Sequence, residues 1–409
     1  MTGARPRILY IASHCPAGPD FGARLRVRHV GRLLRGVGDV TLLLVSAGDW
    51  PDEWLDEARA DFDLAGVIRM RHADAWPTRL RRSIDPAFLN THGFAITPTD
   101  RATIVGLIRE HDAAWVHTVR TANATGLRRW PGAVLDVDDL PSQLESTRAA
   151  GLTGAARARA RWRAAMWGVR ERRLLSRFAA LAVCSDADRR RLGGAERIGV
   201  VPNGFDRPAP VPRRPASPPR FGFIGTLEYG PNLDGVRWFV DRAWPTVRAA
   251  HPSATLRLVG AGSDAGAVAG PGVEGLGYVD DPGEEIATWT AMVVPVRAGG
   301  GTRVKIAEAF ARGCPVVATP IGAFGYDAEH GRHVLLADTP EGLAGACARL
   351  IDEPGLGARL ADHAAALYES KYTWEASAPV VADLIARAAR RDALAAQAAV
   401  AERAAGAAA

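Results

Sequence analysis

Cysteine is scarce and scattered in this sequence. Cys15, Cys184, Cys314 and Cys347 are the four in 409 residues, and no CxxC pair occurs. A disulfide framework and a zinc-ligand spacing are both excluded, so free thiols in a reducing cytosol are expected. Long apolar runs are missing too: no stretch of about 20 apolar residues is present, which excludes a hydrophobic spanning helix. The start of the chain runs directly into Arg7–Ala12, which reads as a strand rather than a signal peptide, and a cytoplasmic protein is expected. No internal repeat recurs at a fixed period of about 20–50 residues. Charge of one sign is only mildly in excess. The net charge of +6 and pI near 9.5 fit an anionic ligand or a membrane surface without arguing for nucleic acid. Among the cations lysine is rare and arginine greatly preferred.

What is present is a soluble globular composition, 47% apolar and 23% charged, in a chain too long for one hydrophobic core. Buried parallel strands are expected at 8–13, 40–46, 66–70, 114–117, 134–137, 180–184 and 199–201, with helices at 25–35, 54–61, 99–111 and 152–178. Proline is dense at 207–219, where helix and central strand are both blocked and an extended spacer is expected. The alternation then restarts with strands at 221–224, 256–259, 273–278, 291–296, 315–319 and 333–337. Helices are expected at 232–250, with Pro231 near the first position, and at 341–351. The expected domains are 1–206 and 220–373, joined by 207–219, with a helix at about 374–394 packing back onto the first. The almost all-alanine tail 395–409 has no apolar face to bury, and a frayed helix or disorder is expected there. Repeated βα units imply an α/β fold of two doubly wound parallel sheets, with ligands at the carboxyl ends of the strands in a cleft between the domains.

Residues 297–322 are the most informative stretch. Gly299, Gly300 and Gly301 lead through Thr302 into a helix carrying Arg303, Lys305 and Glu308, which ends at Gly313 before a buried strand. Glycines let backbone N–H groups close on a ligand, and a helix N-terminus favours anions. Two cations at that end oppose the helix dipole unless an anion sits there, so the loop reads as a phosphate or diphosphate seat. The plainer alternative is an ordinary βα turn with solvated cations, Lys305 pairing with Glu308 one turn on.

Several ordered segments surround this loop. They are 182–186 (AVCSD), 200–206 (VVPNGFD), 223–226 (FIGT) with 229–232 (YGPN), 258–262 (LVGAG) and 277–280 (GYVD). As a set they resemble retaining glycosyltransferases of the GT-B fold, family-4-like and closest to exopolysaccharide-type transferases. The resemblance covers nearly the whole chain and is strongest over 180–340. It implies two Rossmann-like domains facing across a cleft, the acceptor on the N-terminal side and a UDP- or GDP-type nucleotide sugar on the C-terminal side. It also implies transfer with retention and no required metal or other cofactor. Arg303 and Lys305 match positions suited to the donor diphosphate, and Glu308 matches a glutamate that accepts from ribose hydroxyls. Gly225, Gly22, Gly299, Gly300, Gly301 and Thr302 are placed against the donor.

Two departures stand out. The family's second glutamate, eight residues before Glu308, falls at Gly300, and the cations often found after the first strand of the second domain are absent from 225–229. His117, at a strand end, is a candidate catalytic residue in the range where imidazole exchanges protons near neutrality, or else a structural histidine. Asp138 and Asp139, with Asp136, follow another strand end, where they orient acceptor hydroxyls, bind a divalent ion, or cap and pair locally. In the loop after the first strand, Gly18, Asp20, Gly22, Arg24 and Arg26 place Arg24 as a candidate for the diphosphate or the acceptor. Residues 148–177 carry nine arginines against Glu171, with Trp162, Met166 and Trp167 interspersed. That pattern fits a peripheral contact with anionic lipid on the inner face of the cell membrane, or a solvated helix packed on the sheet through its aromatics. The acceptor is then a saccharide, a lipid-linked saccharide or a small molecule.

Rival readings are fewer. Residues 260–265 fit G-x-G-x-x-A, with Asp280 and Asp281 roughly 20 residues on, the fingerprint of an NAD-dependent oxidoreductase. That motif normally follows the first strand of its domain, whereas here 221–225 comes earlier. A sugar-nucleotide epimerase shares the fold, and a non-catalytic GT-B subunit would explain Gly300.

Overall fold

A computed structural model describes residues 5–19 and 21–390, so the tail 395–409 and Asp20 lie outside the described residues. The chain divides into two compact units, Met1–Pro202 with Ser377–Ala409, and Asn203–Ala376.

In the first unit the strands are β1 (Arg7–Ala12), β2 (Asp39–Ser46), β3 (Asp63–Arg69), β4 (Arg71–His72), β5 (Phe94–Ala95), β6 (Ala113–His117), β7 (Trp130–Asp136), β8 (Phe178–Val183) and β9 (Ile198–Val200). Seven form one parallel sheet in the order β3-β2-β1-β6-β7-β8-β9, and β4 and β5 make a small antiparallel pair. Helices cover both faces, so the strands read as continuous apolar runs rather than alternating ones. Along β1, Ile8, Tyr10 and Ala12 enter one core layer while Leu9 and Ile11 enter the other. The helical residues 378–390 add Val381, Leu384, Ile385 and Ala388 to the first of these layers.

The second unit holds β10 (Arg220–Ile224), β11 (Thr255–Val259), β12 (Val273–Gly275), β13 (Ala291–Val294), β14 (Val316–Ala318) and β15 (Leu335–Leu336). They form a six-stranded parallel sheet in the order β12-β11-β10-β13-β14-β15. Chain order therefore reverses between β1 and β6 in one sheet and between β10 and β13 in the other. Open α/β sheets bind ligands at such switch points, beyond the carboxyl ends of the strands.

Several expectations change in detail. The 207–219 segment is extended, but it belongs to the second unit instead of spanning free between two domains. Arg213 donates to the carbonyls of Ile286 and Trp289, and the N–H groups of Arg214 and Ala216 bond Ala287 O (3.0 Å) and Thr288 O (2.8 Å). The residues between the prolines keep their donors and use them. The helix expected at 232–250 starts at Gly230 and passes through a π turn at Phe239–Ala243 before Trp244–Ala250. Pro245, with no N–H to give the carbonyl one turn back, follows directly after this widening. The 152–178 helix divides into Gly154–Arg172 and Leu174–Arg177, and the helices Trp76–Ile84 and Pro141–Ala150 were not expected.

Four tryptophans, Trp115, Trp130, Trp244 and Trp289, are fully buried. Gly222 in β10 lies flat against the Trp289 indole, and a Cβ there would overlap the ring. Gly222→Ala should therefore lower stability by ~1–3 kcal/mol, the usual cost of overpacking a closed core. Urea unfolding of the full chain measures it, and an unchanged midpoint would mean the indole yields without strain.

Candidate functional site

The second unit builds its site around its switch point. Helix Val304–Ala311 follows the loop after β13, and helix Gly230–Trp238 follows the loop after β10. Lys305 reaches from the first helix to the second, where its Nζ donates to Asn232 Oδ1 (3.1 Å). The ammonium lies 3.9 Å from the centroid of the Phe223 ring, a cation–π contact. Gly225, at φ +141°, runs so close beneath that a Cβ would stand 2.7 Å from Nζ and 3.0 Å from Asn232 Nδ2. No carboxylate pairs with this half-buried lysine among the described residues, and it does not bond Glu308. Burial, with the Arg303 charge beside it, pushes its pKa down to about 7, opposed by Glu308.

Arg303 is the residue before the helix, not within its first turn as expected. Its guanidinium turns back on the glycine loop, donating to Gly300 O (2.6 Å) and Gly301 O, while its own carbonyl accepts from Tyr326 Oη (3.0 Å). In a trans peptide the N–H points opposite to the C=O. The N–H groups of Gly301 and Thr302 thus point away from the guanidinium, so Arg303 and the loop amides do not converge on one anion in this conformation. Thr302, 8% exposed, has a hydroxyl without a hydrogen-bond partner among the described residues. Gly299 takes φ +145°, a conformation that favours glycine.

Glu308 is buried rather than a surface charge. Arg312 Nε donates to its Oε1 (3.1 Å), and Arg312 Nη2 also donates to Asp281 Oδ1 (3.0 Å). Burial raises the Glu308 pKa against the pull of Arg312 and Lys305.

In the first unit the switch point is closed by side chains. Ser13, just past β1, bonds His117 Nδ1 at the end of β6 (2.7 Å) and His14 Nδ1 (2.8 Å). His117 is fully buried, which lowers its pKa, and its Nε2 stands 3.9 Å from Asp138 Oδ2, beyond hydrogen-bond reach. Two non-glycine residues there adopt positive φ, Thr118 at +75° and Asp138 at +55°. Such conformations cost about 1–3 kcal/mol each and gather at functional sites. Asp136 is engaged by Arg26 (2.6 Å) and Trp115 Nε1 (3.3 Å), a fully buried pair that ties the first helix to β7. Among the described residues no group of three or more His, Cys, Asp or Glu side chains is placed to hold a metal ion.

A cavity of about 560 Å³ opens beyond β6 and β7, lined among others by Thr118, Arg120, Asp138, Asp139, Trp162 and Arg170. His117 does not line it. Arg24, expected at the acceptor or the diphosphate, is 3% exposed and turned inward. It donates to Cys15 O (3.2 Å) and Pro19 O, and its guanidinium lies over Phe21 and Trp54 (4.8 and 4.4 Å). An arginine walled by aromatic faces and carbonyls fixes its own loop. Gly22, the first residue of helix Gly22–Val37, is exposed. Helix Gly154–Arg172 buries Met166 and Trp167 and leaves Trp162 exposed. Sequence reasoning missed Ser13, Asn232, Arg312 and Arg120. Of these, Asn232, next to a proline at a helix start, and Arg312, four residues after Glu308, carried a local signal.

Comparison with known proteins bears on the family and the fold. Residues 218–353 match the family model described as Glycosyl transferases group 1. No curated protein matches. Among solved structures the chain resembles a sucrose-phosphate synthase from Thermosynechococcus elongatus (18% identity, TM-score 0.66, covering 96% of this chain and 100% of that one). It also resembles HepE from Anabaena in complex with UDP and glucose (18%, TM-score 0.61, 93% and 99%). A third likeness is WaaG, a glycosyltransferase involved in lipopolysaccharide biosynthesis (15%, TM-score 0.55, 91% and 99%). At these identities the structural likenesses establish the GT-B fold, and the family match makes residues 218–353 a group 1 glycosyltransferase domain.

Lys305 loses its proton near neutrality while no anion is bound. A diphosphate stabilises the ammonium and raises its pKa again, so binding takes up a proton between about pH 7 and the ordinary lysine value, and affinity falls as pH rises through that window. Titration calorimetry of UDP at about pH 8, in buffers of different ionisation enthalpy, should show an uptake that Lys305→Met removes. Identical heats in all buffers would place Lys305 outside the anion's reach.

Proposed function

We propose that this glycosyltransferase moves a sugar from a nucleotide-diphosphate sugar, of UDP or GDP type, to a saccharide hydroxyl with retention at the anomeric carbon. The observation that carries the proposal is the ammonium of Lys305, held at the switch point beside Gly225 without a carboxylate partner. A cation kept there, half out of water, is stabilised by a diphosphate. UDP in HepE favours a uridine donor, and Glu308, already bonded to Arg312, is the acceptor for ribose hydroxyls.

In the reaction the bond from the anomeric carbon to the β-phosphate oxygen breaks. A bond from that carbon to the acceptor oxygen forms on the same face, and the acceptor proton passes to the leaving diphosphate. Lys305 stands ready for the developing negative charge, and Arg303 trades its two loop carbonyls for phosphate oxygens. Preorganised cations of this kind are often the largest single contribution to catalysis. With that charge supplied by side chains, the reading requires no metal ion. Asp138 and Asp139, on the cavity of the first unit, orient the acceptor hydroxyl. Gly300, lacking a carboxylate, leaves recognition of the donor sugar to other groups.

A thermal-shift screen of nucleotide sugars on the wild type, Glu308→Ala and Lys305→Ala tests the site. The best donor should stabilise the wild type most, and Lys305→Ala should lose ~3–4 kcal/mol of transition-state stabilisation, roughly 100- to 1000-fold in kcat. Equal stabilisation of all three proteins would refute the assignment. NMR of the product anomer reports retention. Donor binding without transfer to any acceptor would favour a non-catalytic subunit, the reading that Gly300 supports.

The same proposal includes a peripheral contact with anionic membrane through residues 148–177. Exposed Trp162 donates to Ser83 O (2.9 Å), on a helix whose Trp76, Leu80 and Ile84 are exposed at one-turn spacing. No helix among the described residues is long and apolar enough to cross a membrane. The chain should co-sediment with phosphatidylglycerol vesicles and much less with phosphatidylcholine, and the double variant Trp76→Ser, Trp162→Ser should lose the difference. Equal sedimentation with both lipids would exclude the contact.

A further inference from the structure

The cavity of the first unit is richer in cation than an acceptor made only of neutral hydroxyls requires. Arg82, Arg120, Arg163 and Arg170 line it from three different helices. Two of them are already neutralised, Arg82 by Asp74 (3.0 Å) and Arg163 by Glu145 (2.9 Å). The other two are not. Half-buried Arg120 makes no hydrogen bond or ion pair among the described residues. Arg170 gives one nitrogen to the main-chain carbonyls of Arg82 (2.5 Å) and Asp85 (3.0 Å), and its Nε is buried without a partner. A guanidinium removed from water without an anion is costly, so leaving one partly desolvated in a cavity is a departure that a ligand can repair.

The cavity also holds a histidine and two aspartates. His92, on its wall, is held at a pKa of about 4 by burial and then by Arg120, Arg82 and Arg170, with no carboxylate opposing them. Its neutral ring therefore adds no charge to the cavity. The acids Asp138 and Asp139, which follow β7, also line the cavity, and the transfer reading places the reacting hydroxyl beside them. Trp162 and Trp167 supply apolar faces on which a sugar ring stacks, and Arg170 already lies 5.2 Å from the Trp167 ring.

We propose that this cavity recognises an acidic saccharide, one bearing a carboxylate or a phosphate that Arg120 and Arg170 bind together while its ring lies against the tryptophans. Arginine suits either anion because its planar fork pairs two oxygens at once. The proposal rests on the acceptor side of the transferase reading and adds the charge of the acceptor.

Calorimetry on the full chain tests it with methyl β-glucuronide, glucose 1-phosphate and methyl β-glucoside, alongside UDP as a donor-site control. At least one acidic sugar should bind about tenfold or more tighter than the neutral glucoside, and the preference should shrink with added salt. Arg120→Gln should abolish the preference while leaving UDP affinity and the melting temperature unchanged, since Arg120 makes no bond within the protein to lose. Arg120→Lys should keep part of it as a point charge. Which acid binds tighter tells a uronic acid from a phosphate-linked acceptor. Equal binding of acidic and neutral sugars, no binding of either acid, or a preference that survives Arg120→Gln overturns the proposal. Loss of UDP binding with the preference intact would instead sink the transferase reading and leave the acidic site standing.

Discussion

Each sheet of this protein reverses its strand order once, and that reversal is the constraint on which the rest depends. Between β10 and β13, successive crossover helices leave to opposite sides, so the loops beyond the two strands part and leave a crevice. Gly225 and the 299–301 loop flank it, and Lys305 bridges it to Asn232. Between β1 and β6 the same parting is bridged by Ser13 and His117. The two units share one geometric device and fill it differently, one with a cation and the other with a neutral buried imidazole.

The polar groups at these points cost stability and are held by dense surroundings. Trp289 against Gly222 lies under the second switch point, and the fully buried Arg26–Asp136 pair beside the first ties helix Gly22–Val37 to β7. Breaking a pair of that kind by removing one partner typically costs about 3–5 kcal/mol. Rigid support of this sort lets Thr118 and Asp138 keep positive φ and Lys305 keep a depressed pKa. The strained or desolvated group stands at the sheet edge, and its compensation lies one layer below.

Much of this was legible in the residues, and the reason is periodic. Strands buried on both faces read as unbroken apolar runs, so most of the parallel strands fall within a few residues of their expected bounds. The glycine loop and the helix bearing Lys305 and Glu308 were equally plain, because glycine and a helix start are local signals. Helix Pro141–Ala150 was missed because little in its composition marks a buried face. Partners were only partly legible. The i, i+4 spacing of Glu308 and Arg312 favours that pair over Lys305, but no spacing shows that Lys305 turns to Asn232 on another helix.

Spacing along the chain was enough to give the α/β class, the two-sheet plan and the loop around Lys305. Tertiary structure alone decided which arginines are consumed and which are left. Arg24 and Arg26 lie two residues apart on one helix, yet one is walled in by aromatics and the other locked to Asp136. Arg120 shares the same chemistry and has no partner among the described residues. The difference arises because a guanidinium's role is set by what other strands and helices bring within about 3 Å of it, and no spacing along a single chain segment records that.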